Sequence, residues 1–143
     1  MNATVECLRN SRTRSSRQVR STVSILAGFA TVVLLSVATD TALEKLDIFP
    51  SQNEAAGYVW WMYAVALVYR SMYAVAGGYS TAALAPDRPV QHAVILGTVG
   101  FVIGALGTVA NWGKVSASNI WYPTLLVLVS VPFAWMGGKL ESR

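Results

Sequence analysis

Charged residues are almost absent from four long stretches of this chain. The stretches 21–39, 89–113 and 115–138 contain nineteen, twenty-five and twenty-four residues without any Asp, Glu, Lys or Arg. A fourth stretch, 55–86, contains thirty-two residues with a single charge, Arg70. A helix needs roughly 20 apolar residues to cross the hydrocarbon core of a bilayer. Each stretch therefore predicts one membrane-spanning helix.

The scarcity of charge also argues against a soluble protein. Asp, Glu, Lys and Arg make up 13% of the 143 residues, about half the share of an average soluble domain. Hydrophobic residues make up 54%. Too few charges remain to cover the surface of a small water-soluble enzyme, so the composition predicts a membrane protein and we expect no enzymatic activity.

Turn-forming residues separate the four stretches and define the expected fold. Pro50, Pro86, Pro89 and Gly113 interrupt the apolar pattern between them. We predict an all-α fold, a polytopic transmembrane four-helix bundle that consists of two antiparallel helical hairpins. The transmembrane domain is predicted over 19–143, with helices near 19–43, 58–84, 91–112 and 121–139.

Basic residues are distributed unevenly between the two predicted sides of the membrane. Only Lys45 and Lys114 lie on one side. The other side holds Arg88, Lys139 and Arg143 together with five arginines among the first 20 residues. Lys and Arg concentrate on the cytoplasmic side of membrane proteins. Both termini are therefore predicted to be cytoplasmic, in a multi-pass protein of the cell inner (plasma) membrane.

The segment 1–18 is rich in Ser and Arg, and we expect it to be a basic, disordered cytoplasmic tail. The net charge of +4 equals that of the first 20 residues, which hold five Arg and Glu6. Such a tail sets topology and contacts anionic lipid headgroups. Arginines without interleaved aromatic residues give no reason to expect nucleic acid as a partner. Cys7 is the single cysteine. Because it lies in the tail on the reducing, cytoplasmic side, we expect it to form no disulfide.

One charge lies deep inside a predicted helix. Arg70 lies about twelve residues into the second helix, roughly 18 Å from its start, where a charge is costly unless it is paired. Asp40, near the outer end of the first helix, is the predicted partner because side chains of antiparallel helices lean toward each other. The pair is either a structural clamp or a charge pair for gating or transport. Tyr69 and Glu44 are candidates to join it.

Small residues recur on one face of the third predicted helix. Four glycines follow one another at spacings of three, four and three residues, with an alanine before them and an asparagine after them. Such a seam allows another helix to approach closely. It predicts either packing within the bundle or a contact between two copies of the chain. Its members are Ala93, Gly97, Gly100, Gly104, Gly107 and Asn111.

Double glycines lie late in the second and fourth predicted helices, at Gly77, Gly78, Gly137 and Gly138. We predict hinges or close helix packing at these points. Each predicted hairpin also carries an early Gly-Phe step, at Gly28 and at Gly100. These matches have two explanations. They indicate either a two-hairpin repeat, as in many transporters, or only the general abundance of Gly in membrane helices.

The single histidine, His92, lies at the predicted start of the third helix. A metal or haem site needs further ligands, and the sequence has no second His and no Cys cluster. No nucleophile triad, carboxylate pair or phosphate-binding loop is visible either. We therefore expect no catalytic residue, no metal and no cofactor, and we expect His92 to cap a helix or to contact lipid headgroups.

Several short segments resemble those of a group of small bacterial inner-membrane proteins with four predicted helices. The segments are Tyr69-Arg70, Gly77-Gly78-Tyr79, Ala85-Pro86, Pro89, His92-Ala93, Leu96-Gly97, Trp121-Tyr122-Pro123 and Gly137-Gly138-Lys139-Leu140. The resemblance covers most of the chain after the tail. It implies an inner-membrane location and a four-helix architecture, and it implies no activity.

The sequence thus predicts a non-enzymatic integral membrane protein that acts as a helical-bundle component or subunit. Its expected partners are the lipid bilayer and either a second copy of the chain or another membrane protein. The alternative is a small transporter or channel whose pathway passes Arg70 and Asp40. An Arg at mid-depth would favour an anion in such a pathway.

Overall fold

A computed structural model of the chain describes residues 2–51, 57–110 and 120–142, with side chains from residue 15 onward. Within these residues the backbone forms four helices and no strand, which confirms the all-α prediction. The helices are α1 (Asn2–Lys45), α2 (Trp60–Leu84), α3 (Pro89–Ala110) and α4 (Trp121–Glu141). Their bounds lie within a few residues of the predicted ones, except at the start of α1.

The beginning of α1 differs from the sequence prediction. We expected disorder over 1–18, whereas the backbone is helical from Asn2 and α1 is 44 residues long. Adding a residue to an existing helix costs far less than starting one, and the apolar stretch of α1 supplies the existing helix. Arg, Leu and Gln in this segment also have high helix propensity. The helix therefore continues from the apolar stretch into the basic segment.

Three of the helices are long and apolar enough to cross a membrane, and they fit a membrane protein as predicted. These candidate spans are Ser15–Lys45 within α1, Pro89–Ala110 and Trp121–Glu141. α2 is similarly long at 25 residues but more polar, because it carries Arg70, Ser71, Ser80 and Thr81. Its charge and two of its hydroxyls, those of Ser71 and Thr81, lie wholly or partly inside the structure.

Small residues fill the interior of the structure, and large apolar residues lie on its outside. The buried side chains are mainly those of Ala, Ser and Thr, at Ala66, Ala82, Ala93, Ala134, Ser24, Ser71 and Thr81. By contrast, Leu34 is 69% exposed and Leu106 is 66% exposed. Extended apolar surfaces of this kind are rare on water-soluble monomers. Small residues between helices are typical of helix packing in membranes.

α2 contacts each of the other three helices, and α4 packs against both α2 and α3. Neighbouring residues define the relative directions of the helices in each hairpin. They are Asp40–Arg70 and Gly28–Gly77 in the first hairpin, and Ala93–Gly138 and Gly104–Val127 in the second. Since residue numbers rise along one helix as they fall along its partner, α1 is antiparallel to α2 and α3 is antiparallel to α4.

Candidate functional site

Asp40 of α1 and Arg70 of α2 form an ion pair between the helices of the first hairpin. Arg70 Nη2 donates a hydrogen bond of 2.6 Å to Asp40 Oδ2. The side chain of Asp40 is 13% exposed and that of Arg70 is 32% exposed. A carboxylate so far from water needs a partner, because an unpaired buried charge is strongly destabilising. The structure thus brings together the two charges that the sequence predicts as partners.

Tyr69 supplies a second donor to the same carboxylate. Its hydroxyl donates to Asp40 Oδ1, so each carboxylate oxygen accepts one hydrogen bond. The other candidate, Glu44, makes no ion pair with Arg70 among the described residues. One helical turn after Tyr69, the hydroxyl of Tyr73 shares a hydrogen bond of 2.7 Å with that of Thr39.

Thr39 and Tyr73 were not singled out from the sequence. The available signal was the spacing of Tyr69 and Tyr73, four residues apart and hence on one face of α2, together with the position of Thr39 beside Asp40. That signal indicates a shared face, but it does not say which neighbouring helix the face meets.

Arg70 retains unused capacity to donate hydrogen bonds. A guanidinium carries five N–H donors, and the buried Nε of Arg70 has no partner among the described residues. The Cζ atom lies 6.0 Å from the centre of the Tyr69 ring. The pair is therefore held between α1 and α2, while the buried Nε stays unpaired among the described residues.

Aromatic rings from the α1–α2 connection, the beginning of α2 and the beginning of α4 form one cluster. Ring centres are 5.7 Å apart for Phe49 and Tyr58, 5.4 Å for Tyr58 and Tyr63, and 5.1 Å for Tyr63 and Tyr122. Trp61 contacts Phe49 at 6.3 Å. We call Phe49, Tyr58, Trp61, Tyr63 and Tyr122 the aromatic cluster. It links the beginning of α4, through Tyr122, to the loop that follows α1.

Tyr58 of this cluster precedes α2, and its phenol is biased toward the neutral form. Partial burial raises the pKa of Tyr58 above its ordinary value, and the negative charges of Asp40 and Glu44 raise it further. Both effects disfavour a phenolate. Tyr58 therefore stays a hydrogen-bond donor over a wider pH range than an exposed tyrosine.

The double glycines are sites of close helix contact. A Cβ atom on Gly77 would lie 2.9 Å from the carbonyl oxygen of Gly28, and one on Gly137 would lie 2.8 Å from the backbone nitrogen of Tyr79. The facing residues are Gly28 for Gly77, Ala134 for Gly78, Val75 for Gly137 and Ala93 for Gly138. One glycine of each pair packs on the other helix of its own hairpin, since Gly77 faces α1 and Gly138 faces α3. The other glycine of each pair lies where α2 packs against α4.

The seam of small residues on α3 faces α4 over its first part. Ala93 is completely buried. A Cβ on Gly97 would lie 2.9 Å from the Cα of Val131, and one on Gly104 would lie 3.0 Å from a methyl of Val127. These contacts correspond to packing within one chain, the first of the two predicted uses of the seam.

The remaining members of the seam are less closely packed. A Cβ on Gly100 would meet the Ser130 side chain at 4.0 Å, and one on Gly107 would meet no described atom within 4 Å. Asn111 lies outside the described residues. Gly100 is thus not equivalent to Gly28, which packs tightly on α2, so the Gly-Phe steps of the predicted repeat have different surroundings.

At the opposite end of the helices, α1 contacts the α2–α3 turn and the start of α3. Ser21 and His92 Nε2 share a hydrogen bond, and His92 Nδ1 lies 3.2 Å from the carbonyl oxygen of Arg88. Arg17 and Asp87 form an ion pair of 3.6 Å. The His92 ring therefore connects the first turn of α3 to α1, a contact between helices that the sequence did not predict.

No group of three or more His, Cys, Asp or Glu residues suited to hold a metal ion occurs among the described residues. Comparisons of the chain with protein families, curated proteins and solved structures give no match. The resemblance to small inner-membrane proteins therefore stays a prediction.

Proposed function

We propose that the chain is a non-enzymatic integral membrane protein, a four-span helical bundle that acts as a structural component or subunit. The observation that carries this proposal is the distribution of side-chain sizes, with Ala, Gly, Ser and Thr between the helices and Leu, Val, Ile and Trp outside. Lipid covers large apolar side chains without cost, and small residues permit the backbone contacts that hold helices together in lipid.

α2 is the fourth span in this proposal. Its 25 residues extend over about 37 Å at 1.5 Å per residue, enough for a hydrocarbon core of about 30 Å. Val65, Val68 and Met72 form an exposed apolar stripe at helical spacing, as lipid contact requires. Arg70 is directed instead toward α1, where Asp40 neutralises it.

Four spans place both termini on one side, and the arginines of α1 assign that side to the cytoplasm of an inner (plasma) membrane. The single cysteine, Cys7, makes this proposal directly testable. A membrane-impermeant maleimide should label Cys7 only after the membrane is permeabilised. In a Cys7→Ser background, Ser51→Cys should be labelled in intact cells and Asp87→Cys only after permeabilisation. Labelling of Asp87→Cys in intact cells would contradict a spanning α2.

The ion pair acts as a clamp in this proposal. Asp40 is satisfied by two donors from α2, and this arrangement joins the helices of the first hairpin far from the glycine contact between Gly28 and Gly77. Two separated contacts fix both the height and the rotation of α1 relative to α2. We expect Arg70→Ala to lower stability, and a purified, reconstituted protein to show no anion flux that depends on Arg70.

A small anion-selective transporter or channel is the second candidate. The unpaired Nε of Arg70 favours it, because a guanidinium with an unused donor can bind an anion. Reconstituted vesicles loaded with chloride, nitrate or phosphate separate the two proposals. Anion flux that is present in the native chain, lost in Arg70→Ala and altered in Arg70→Lys would favour transport. Equal flux in the native chain and in Arg70→Ala, measured at equal protein content, would favour the clamp.

A further inference from the structure

A cleft lies between α1 and the turn that joins α2 to α3. Its volume is about 600 Å³, and it opens to the exterior. This volume falls within the range of roughly 300–1,000 Å³ that small-molecule sites occupy. The cleft is lined by Arg17, Gln18, Ser21, Thr22, Pro86, Asp87 and His92. Almost all of these side chains are polar, so the cleft suits a hydrophilic ligand.

The cleft carries one charge of each sign. Arg17 lies on the α1 wall and Asp87 on the turn, and their charged groups are 3.6 Å apart. Their side chains are 72% and 61% exposed, and an ion pair so exposed contributes little to stability. A ligand with its own cation and anion could replace this single weak pair by two.

Hydrogen-bonding groups lie beside these charges. Ser21 and His92 are joined across the cleft, and the hydroxyl of Thr22 donates to the carbonyl oxygen of Gln18 at 3.1 Å. The Thr22 hydroxyl can rotate away from this carbonyl and donate its proton to a phosphate oxygen instead. The α1 wall therefore offers a guanidinium with a hydroxyl one turn or so along the helix, which is a suitable environment for phosphate oxygens.

The cleft lies at the level where the charged ends of the helices meet the apolar stretches. Arg20 is the last charge before the uncharged stretch 21–39 of α1, and Arg88 is the last before the uncharged stretch of α3. In a spanning protein this level corresponds to the lipid headgroups. A polar cleft here faces a high local concentration of phosphodiesters with attached amines.

We propose that this cleft binds a phosphoethanolamine group, with the phosphate against Arg17 and the primary ammonium against Asp87. The two-carbon spacer between phosphate and ammonium suits neighbouring charges of opposite sign. A purely anionic headgroup would face repulsion from Asp87. A choline headgroup has no N–H with which to donate a hydrogen bond to the carboxylate. The group can belong to a membrane lipid or to a soluble molecule, since both present the same chemistry.

Native mass spectrometry of the purified full chain tests this proposal. Phosphatidylethanolamine, phosphatidylcholine and phosphatidylglycerol are added at equal concentration, and the lipid-bound fraction is measured. We expect phosphatidylethanolamine to bind preferentially, and Arg17→Gln and Asp87→Asn each to reduce that preference by about threefold, as for loss of one exposed ion pair. Arg20→Gln and Glu141→Gln are matched controls, because neither residue lines the cleft. They should change the preference by less than about twofold.

Competition with free phosphoethanolamine identifies the source of the group. Displacement of the lipid by the free compound at comparable concentration would indicate a soluble ligand, and failure to displace it would indicate the lipid. Circular dichroism must show unchanged helix content in each variant. Equal binding of the three lipids, preference for phosphatidylglycerol, or unchanged preference in folded Asp87→Asn would overturn the proposal.

Discussion

Asp40 and Arg70 are thirty positions apart in the sequence and 2.6 Å apart in the structure, where they join α1 to α2. The two residues meet because α1 and α2 pack antiparallel in the first hairpin. Because Asp40 is largely shielded and also accepts a bond from Tyr69, the effect of each substitution here depends on which group is left without a partner.

Removal of Arg70 should be strongly destabilising. Arg70→Ala leaves the Asp40 carboxylate without its cation, which costs about 3 to 5 kcal/mol in a buried pair. Denaturant unfolding in detergent micelles measures this change. Arg20→Ala, which removes an exposed arginine of α1, is the control and should change stability by less than about 0.5 kcal/mol. The exchanged pair Asp40→Arg with Arg70→Asp should recover part of the loss, and a double variant no more stable than Arg70→Ala would contradict a simple clamp.

Loss of the Tyr69 hydroxyl should have a smaller effect. Tyr69→Phe keeps the ring and removes one hydrogen bond to a charged acceptor, for an expected loss of about 1.5 to 3 kcal/mol. Tyr79→Phe is the matched control, because Tyr79 is 49% exposed on the same helix. If the two variants unfold at the same denaturant concentration, the Tyr69–Asp40 bond does not stabilise the fold.

A methyl group at Gly28 should separate α1 from α2. The Cβ of Gly28→Ala would lie 2.6 Å from the carbonyl oxygen of Gly77 and would overlap the hydroxyl of Thr81. Overpacking of this kind costs about 1 to 3 kcal/mol. Gly100→Ala has space and should be neutral or stabilising by up to about 1 kcal/mol, because Ala has the higher helix propensity. In thermal unfolding in the same detergent, Gly28→Ala should lower the Tm, and Gly100→Ala should leave the Tm unchanged or raise it.

The seam on α3 can be tested separately for packing within the chain and between copies. Gly97→Ala should lower stability by about 1 to 3 kcal/mol, because its Cβ would lie 2.9 Å from the backbone of Val131, and the oligomeric state should not change. Gly107→Leu should leave both properties unchanged if the seam acts only against α4. A smaller oligomer for Gly107→Leu, measured by light scattering in detergent, would favour the contact between two copies.

The pH dependence of stability should include a contribution from Tyr58. Its pKa is raised in the folded protein by burial and then by Asp40 and Glu44, so folding favours the neutral phenol. This contribution is fully present below about pH 10, the pKa of an unperturbed tyrosine, and is lost as the pH rises through the higher folded pKa. Between pH 8 and pH 11 the native chain should therefore lose more stability than Tyr58→Phe. Equal losses would contradict the assignment to Tyr58.

The apolar stretches predicted the helices well because they reflect a local property. A run of twenty or more uncharged residues with turn-forming residues at both ends restricts the chain to helices of membrane-spanning length, whatever lies next to them. The partnership of Asp40 and Arg70 was also predictable, since the side chains of antiparallel helices lean toward each other.

The partners of individual helix faces could not be read in the same way. The seam on α3 allowed two arrangements because the spacing of small residues fixes a face but not the helix that it meets. Its contact with α4 through Gly97 and Gly104 depends on the rotation of both helices. The same limitation applied to Tyr69, whose hydroxyl reaches Asp40 only at one rotation of α2.

The sequence by itself determined the helical class, the number of apolar segments and the position of the one charge that needs a partner, because these follow from hydropathy and residue counts. Only the tertiary structure decided that the double glycines connect α2 to both α1 and α4, and that Arg17 and Asp87 line one cleft. Each of these depends on how helices pack, and packing is set by the shapes of surfaces that lie far apart in the chain.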